Sequence, residues 1–141
     1  MKRKTLAWTG IALLALLAIV VVNGGHKGNQ ADSTYVRIPL SELSTTAKFY
    51  TYGNARYFAV LGSDGQPRTA FDACQTCGPK GYTQNGNNMK CKNCGLEFSI
   101  DSLGVENTGY GCWPGYLPSE VAGGEILIKK SDLAGSKFFK Q

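Results

Sequence analysis

Four cysteines set the tightest limit on this chain. The stretch Cys74–Phe98, CQTCGPKGYTQNGNNMKCKNCGLEF, has the spacing C-x2-C-x13-C-x2-C. Two residues between cysteines let the backbone turn so that both sulfurs face one centre. The glycine after each pair, Gly78 and Gly95, tolerates the positive φ that such a turn needs. Two such turns facing each other give a four-sulfur cage. The soft, all-thiolate donor set of Cys74, Cys77, Cys91 and Cys94 suits an iron–sulfur cluster, a single iron or zinc.

Two other chemistries stay open for the same residues. Disulfides are common in oxidising compartments, although a bond within one C-x-x-C closes a small strained loop. A thioredoxin-like C-x-x-C opens a helix in a βαβ setting, and neither pair here runs on into a helical pattern. Cys112, in GYGCWPGYLP, is a fifth thiol in a Gly/Pro-rich loop. It is a candidate for proximity to the site, with a buried structural role as the alternative. Asp72, Glu97 and Met89 flank the cysteines. The carboxylates read as strand-end or solvated charges that can tune the site, and Met89 reads as packing. The single histidine, His26, lies outside the cysteine region. This removes His-based acid–base catalysis, a C-x-x-C-H haem site and a His-ligated zinc from the folded part.

The N-terminus has a different composition. Lys2, Arg3 and Lys4 precede LAWTGIALLALLAIVVV, seventeen residues without a charge. A membrane-spanning helix needs about 17–25 apolar residues, so residues 1–22 read as a signal anchor, with a cleaved signal as the alternative. The basic flank belongs in the cytoplasm, which places the remainder outside the membrane as the domain of a single-pass protein. Residues 23–34 are polar and Gly-rich, a flexible tether. Residues 35–141 form the folded domain. The net charge of +5 is not a nucleic-acid signature. From Tyr35 onward eleven Lys/Arg meet nine Asp/Glu, with no basic stripe.

Within the domain the pattern is short strands between turns. TYVRIPL, AKFYTY, RYFAVLG, RTAFDA and EILIKK are β-rich. SDGQ and the Asn85-Gly86 pair signal hairpins. Only LSEL and KSDLAG suggest a short helical turn. Phe49, Tyr50, Tyr52, Tyr57, Phe58, Phe71 and Phe98 are expected in the sheet core. The fold expected is mostly β: a small Rieske-like or rubredoxin/zinc-ribbon-like domain with a four-cysteine site, behind one transmembrane helix.

YVRIPLSEL, RYFAVLGSDGQPRTAFDACQTC, KGYTQNGNNMKCKNCGLEFSIDSLG, GCWPGYLP and ILIKKSDL, in that order, resemble the FtrD-like family of membrane iron–sulfur proteins. The resemblance covers most of residues 35–141, including both cysteine pairs and Gly111-Cys112. It implies an iron–sulfur cluster on Cys74, Cys77, Cys91 and Cys94, and work with redox or metal-transport partner proteins in iron uptake. Many members carry a bundle of membrane helices, whereas this sequence offers one candidate span. CKNCGLEFSIDSLG together with GYGCWPGYLP is also similar to the second half of a Rieske domain, with cysteines where a Rieske centre has histidines. The function expected is electron transfer outside the cytoplasmic membrane by a carrier without a small-molecule substrate pocket. A structural zinc module, or a thiol–disulfide oxidoreductase or metal chaperone, is the alternative.

Overall fold

The computed structural model describes residues 34–106 and 111–140. Ten strands and one helix follow in order: β1 (Tyr35–Pro39), β2 (Lys48–Tyr52), β3 (Ala55–Leu61), β4 (Pro67–Cys74), β5 (Tyr82–Asn85), β6 (Asn88–Cys91), β7 (Glu97–Ser99), β8 (Pro114–Tyr116), β9 (Glu120–Ala122), β10 (Glu125–Lys129) and α1 (Lys130–Ala134). Single 3-10 turns occupy Leu40–Glu42 and Ile100–Ser102. The strands form three antiparallel sheets, ordered β1-β10-β9, β2-β3-β4-β8 and β5-β6-β7.

The four-stranded sheet is the middle layer. β3 and β4 are apolar on both faces, and a strand buried on both faces needs an unbroken apolar run rather than alternation. Tyr57, Ala59, Phe71 and Ala73 pack one way, onto Ile38, Ile126, Ile128, Leu117 and Leu133. Phe58, Val60, Ala70 and Cys74 pack the other way, onto Tyr82, Met89, Cys91, Ile100, Leu103 and Cys112. Cys74 thus starts from within a core layer. Phe58 is fully buried, with ring centroids 5.6 Å from Phe49 and 6.4 Å from Tyr82. Its burial is worth about 1.5–3 kcal/mol.

Turn chemistry sets the registers. Gly53-Asn54 joins the Tyr52↔Ala55 pair, with Gly53 at φ 56°. The expected Asn85-Gly86 hairpin forms with its two-residue loop shifted by one, to Gly86-Asn87. Asn85 completes the strand opposite Asn88, and Gly86 takes the positive φ of 59°. Gly123 and Gly124 both have positive φ between β9 and β10, the sign pattern of a type I′ turn.

Most expected strands are present, and LSEL and KSDLAG make the two short turns expected of them. Phe49 departs from the expected core set. It lies on an edge strand and is 48% exposed. Three short strands, β7, β8 and β9, carry no alternating apolar pattern long enough to announce them. Among the described residues no helix is long and apolar enough to cross a membrane. The expected span at 1–22 and most of the tether at 23–34 lie outside the described residues.

Candidate metal centre

Two turns of similar design carry the paired cysteines. In the first, Cys74 N donates to Gly78 O and Gly78 N to Cys74 O, both at 2.9 Å. Cys77 N donates to Cys74 Sγ at 3.2 Å. In the second, Gly95 N donates to Cys91 O at 3.0 Å and Cys91 N to Leu96 O at 2.9 Å. Gly78 and Gly95 have φ of 71° and 75°, a region that side-chain-bearing residues enter at a cost of roughly 1–2 kcal/mol. The glycines are therefore what let each turn close beneath its sulfurs.

The hairpin β5–β6 brings the turns together. Tyr82 pairs with Cys91, and Lys92 N donates to Gly81 O at 3.0 Å. The loop before β8 then lies across the first turn. Gln75 N donates to Trp113 O (3.0 Å), Thr76 Oγ1 to Gly111 O (2.8 Å) and Tyr82 Oη to Cys112 O (2.7 Å). Cys74 pairs with Pro114 across an irregular β4–β8 register. That pairing is what carries Cys112, far away in sequence, to the other thiols.

All five cysteines converge. The sulfurs of Cys74, Cys77 and Cys112 lie within 4.8 Å of one another, as do those of Cys77, Cys91 and Cys94. Cys77 belongs to both groups, and its sulfur is 3.6 Å from that of Cys112. All five are free thiols. Cys74, Cys91 and Cys112 are buried, Cys77 is half-buried and Cys94 is exposed.

The electrostatics distinguish the five. Backbone N–H of Leu96, then the Cys112 thiol, hold Cys94 down to about 7. Burial pushes Cys91 up to about 11. Burial also opposes ionisation of Cys74, but N–H groups of Cys77 and Thr76 with the Cys112 and Tyr82 side chains outweigh it and leave the thiol lowered. Cys112 is raised because its proton serves Cys94, Cys77 and Cys74 as a hydrogen bond. Burial and the Cys74 charge push the Tyr82 hydroxyl up, so it remains a donor beside the sulfurs.

The flanking residues divide. Met89 is fully buried and packs in the layer beneath the sulfurs. Glu97 is engaged by Asn85, Asn88 and Lys90 on the hairpin surface. Asp72 is buried rather than solvated. It accepts from Tyr82 N at 2.6 Å and pairs with Arg56 Nε at 3.3 Å. Sequence reasoning missed Tyr82, the aromatic that ties the hairpin to Cys112. Its one sequence signal is its place at the start of the hairpin between the cysteine pairs.

The donor set is the chemical test of a metal. Among the described residues, the ligand groups that converge here are all thiols, without a carboxylate. This fits iron–sulfur, single-iron or zinc binding and does not fit hard cations such as Mg2+ or Ca2+.

Comparison with known proteins bears on the fold and on the family. The quaternary ammonium Rieske monooxygenase CntA, solved with an inhibitor, overlays with a TM-score of 0.51 at 16% identity, covering 70% of this chain and 32% of its own. Dicamba monooxygenase, solved with non-heme iron and dicamba, gives 0.47 at 21% identity, covering 73% of this chain and 34% of its own. The chain thus spans about a third of the length of either enzyme, and the first likeness is one of fold. No curated protein sequence matches the chain. The model of the family described as membrane iron-sulfur containing protein FtrD-like matches residues 31–139. With two cysteine turns and a fifth thiol folded onto one point inside the matched region, this chain belongs to the FtrD-like family of membrane iron–sulfur proteins.

Proposed function

We propose that the domain is a one-electron carrier whose iron–sulfur cluster is held by Cys74, Cys77, Cys91 and Cys94, with Cys112 as a neighbouring fifth thiol. The observation that carries this reading is the shape of the sulfur nest. Among the described residues the sulfurs form two triads sharing Cys77, and no four lie mutually within 4.8 Å. A tetrahedron about one zinc with Zn–S near 2.3 Å has sulfurs about 3.8 Å apart. Two adjoining triads make a longer nest, which supports a cluster over a single ion. When bound, the cluster supplies one-electron redox chemistry.

The chain's own residues supply the rest. The two turns are pinned by backbone hydrogen bonds, which favours little rearrangement between oxidation states. Phe58, Ile100 and Leu103 back the nest with apolar side chains and keep water from its inner side. Cys94 brings the outer side to the surface. Backbone N–H groups, such as that of Cys77 to Cys74 Sγ, offset thiolate charge. An all-thiolate centre carries more negative charge than a histidine-ligated Rieske centre, which lowers its potential. We place the domain on the extracytoplasmic side of a single N-terminal span, serving a redox or metal-transport partner in iron or other metal handling.

Anaerobically purified protein tests this reading by its colour. The reading expects visible absorbance that bleaches on one-electron reduction and returns on oxidation. A colourless protein containing zinc would assign the domain to a structural module instead. For topology, protease added to spheroplasts should digest the domain and spare a cytoplasmic marker. A protected domain would refute the assigned side.

A further inference from the structure

The cysteine turns carry a local excess of basic charge, as does the C-terminal stretch, where Lys129, Lys130, Lys137 and Lys140 stand against Asp132. Between residues 74 and 99 three lysines stand against one glutamate, while the rest of the chain from Tyr35 holds eight basic and eight acidic residues. Lys80, Lys90 and Lys92 are all exposed. The Lys92 N–H to Gly81 carbonyl bond lays the loop of Lys92 against that of Lys80. These two lysines line one open cleft with Arg56, above Asp72 and Tyr82. Arg56 is already committed to Asp72 at 3.3 Å and to Pro79 O at 2.7 Å. Lys80 and Lys92 have no carboxylate within 4.0 Å among the described residues, so the cleft keeps their two charges. Lys90 extends beside Gly95, its Cε 3.9 Å from where a Cβ there would sit, and is paired only loosely with Glu97 at 3.9 Å. The turn that carries Lys92 also carries the exposed Cys94 and Leu96, the latter 53% exposed.

We propose that this lysine-edged rim around Cys94 is the docking surface for an acidic redox partner protein. The proposal rests on the electron-carrier reading above and deepens it. Opposite charge at a docking site steers encounter and raises association rates by roughly 10–10³-fold at low salt. A single exposed leucine, Leu96, in the same turn as Cys94 suits a partner that binds briefly. A lipid surface is the other anionic partner, but membrane-binding clusters usually gather about 4–8 basic residues. Counting Arg56, this rim has four, two of them already paired with carboxylates, which leaves only Lys80 and Lys92.

The test uses the full chain in phosphatidylcholine nanodiscs and two probes. The first is a fluorescein-labelled deca-glutamate peptide, followed by anisotropy across a salt series. The second is oxidation of the reduced protein by ferricyanide or by a cationic cobalt(III) complex. One electron leaves the protein and either ferricyanide becomes ferrocyanide or cobalt(III) becomes cobalt(II). The expected result is salt-sensitive peptide binding and a ferricyanide rate that falls with salt. The double variant Lys80→Glu/Lys92→Glu should lose the peptide, slow ferricyanide by about tenfold or more and speed the cobalt complex. Its iron content and visible spectrum should match wild type. Unchanged binding and rates in that variant overturn the docking surface. A variant that loses iron instead assigns the lysines to offsetting thiolate charge and also overturns it. Adding phosphatidylserine to the nanodisc should leave peptide binding intact, and its abolition would give the lysines to lipid. A colourless protein would defeat the carrier reading, and the peptide titration would still decide the surface.

Discussion

Asp72→Ala should unfasten the cysteine hairpin from the central sheet. The side chain is 9% exposed and its carboxylate accepts Tyr82 N–H at 2.6 Å. Removing a charged acceptor from a buried N–H costs about 1.5–3 kcal/mol. The Arg56 side chain is 45% exposed, so it returns to water and its pairing adds at most about 1 kcal/mol. The sum is about 2–4 kcal/mol, a large share of the roughly 5–15 kcal/mol that stabilises a domain of this kind. At about 4–8 °C per kcal/mol, Tm should fall by roughly 10–30 °C. Asp72→Asn keeps a neutral acceptor for the same N–H and should cost about 1 kcal/mol. Thermal unfolding followed by circular dichroism, at matched metal content, measures both. The reasoning fails if the alanine and asparagine variants unfold within about 2 °C of each other, because the Tyr82 contact would then contribute nothing.

Three further outcomes follow from the same geometry. In reduced, metal-free protein at pH 7.5, limiting iodoacetamide should label Cys94 first, since it is exposed and lowered to about 7, whereas burial raises Cys91 to about 11; peptide mapping that finds Cys91 or Cys112 labelled first would contradict this. Cys112→Ser should keep the metal, because four thiols remain, but shift the visible spectrum or potential; an unchanged spectrum and potential would make Cys112 a packing residue. Gly81→Ala should destabilise more than Gly78→Ala in urea titrations: both have positive φ, but a Cβ at Gly81 meets the Asp72 carboxylate at 3.0–3.3 Å, whereas one at Gly78 meets open space. Equal losses would show that the Asp72 contact is slack.

How far the sequence revealed this molecule depends on the range of the interaction. The two cysteine turns were legible because C-x-x-C-G is a local unit: spacing aims the sulfurs and glycine closes the turn. Strands β3 and β4 were legible as apolar runs, and the Asn85-Gly86 pair as a hairpin signal. Cys112 was only half legible. Its approach depends on a three-residue strand, β8, pairing with β4 some forty residues earlier, and Pro114-Gly115-Tyr116 has no alternation to reveal it. Asp72 looked like a strand-end charge because nothing local shows that the Tyr82 N–H will fold onto it. Phe49 looked like core because hydrophobicity does not tell an edge strand from a central one.

The central claim is that Cys74, Cys77, Cys91 and Cys94 act as one iron–sulfur site. The most direct measurement is iron, zinc and acid-labile sulfide per chain in protein purified without oxygen, repeated for each single Cys→Ser variant. A site whose filling is coupled to folding loses occupancy and stability together when one ligand is lost. The account predicts iron with sulfide in the wild type and a joint fall in metal content and Tm for each of the four variants. Protein without metal, whose cysteines are fully oxidised and whose Cys74→Ser variant leaves a Cys91–Cys94 disulfide intact, would contradict it.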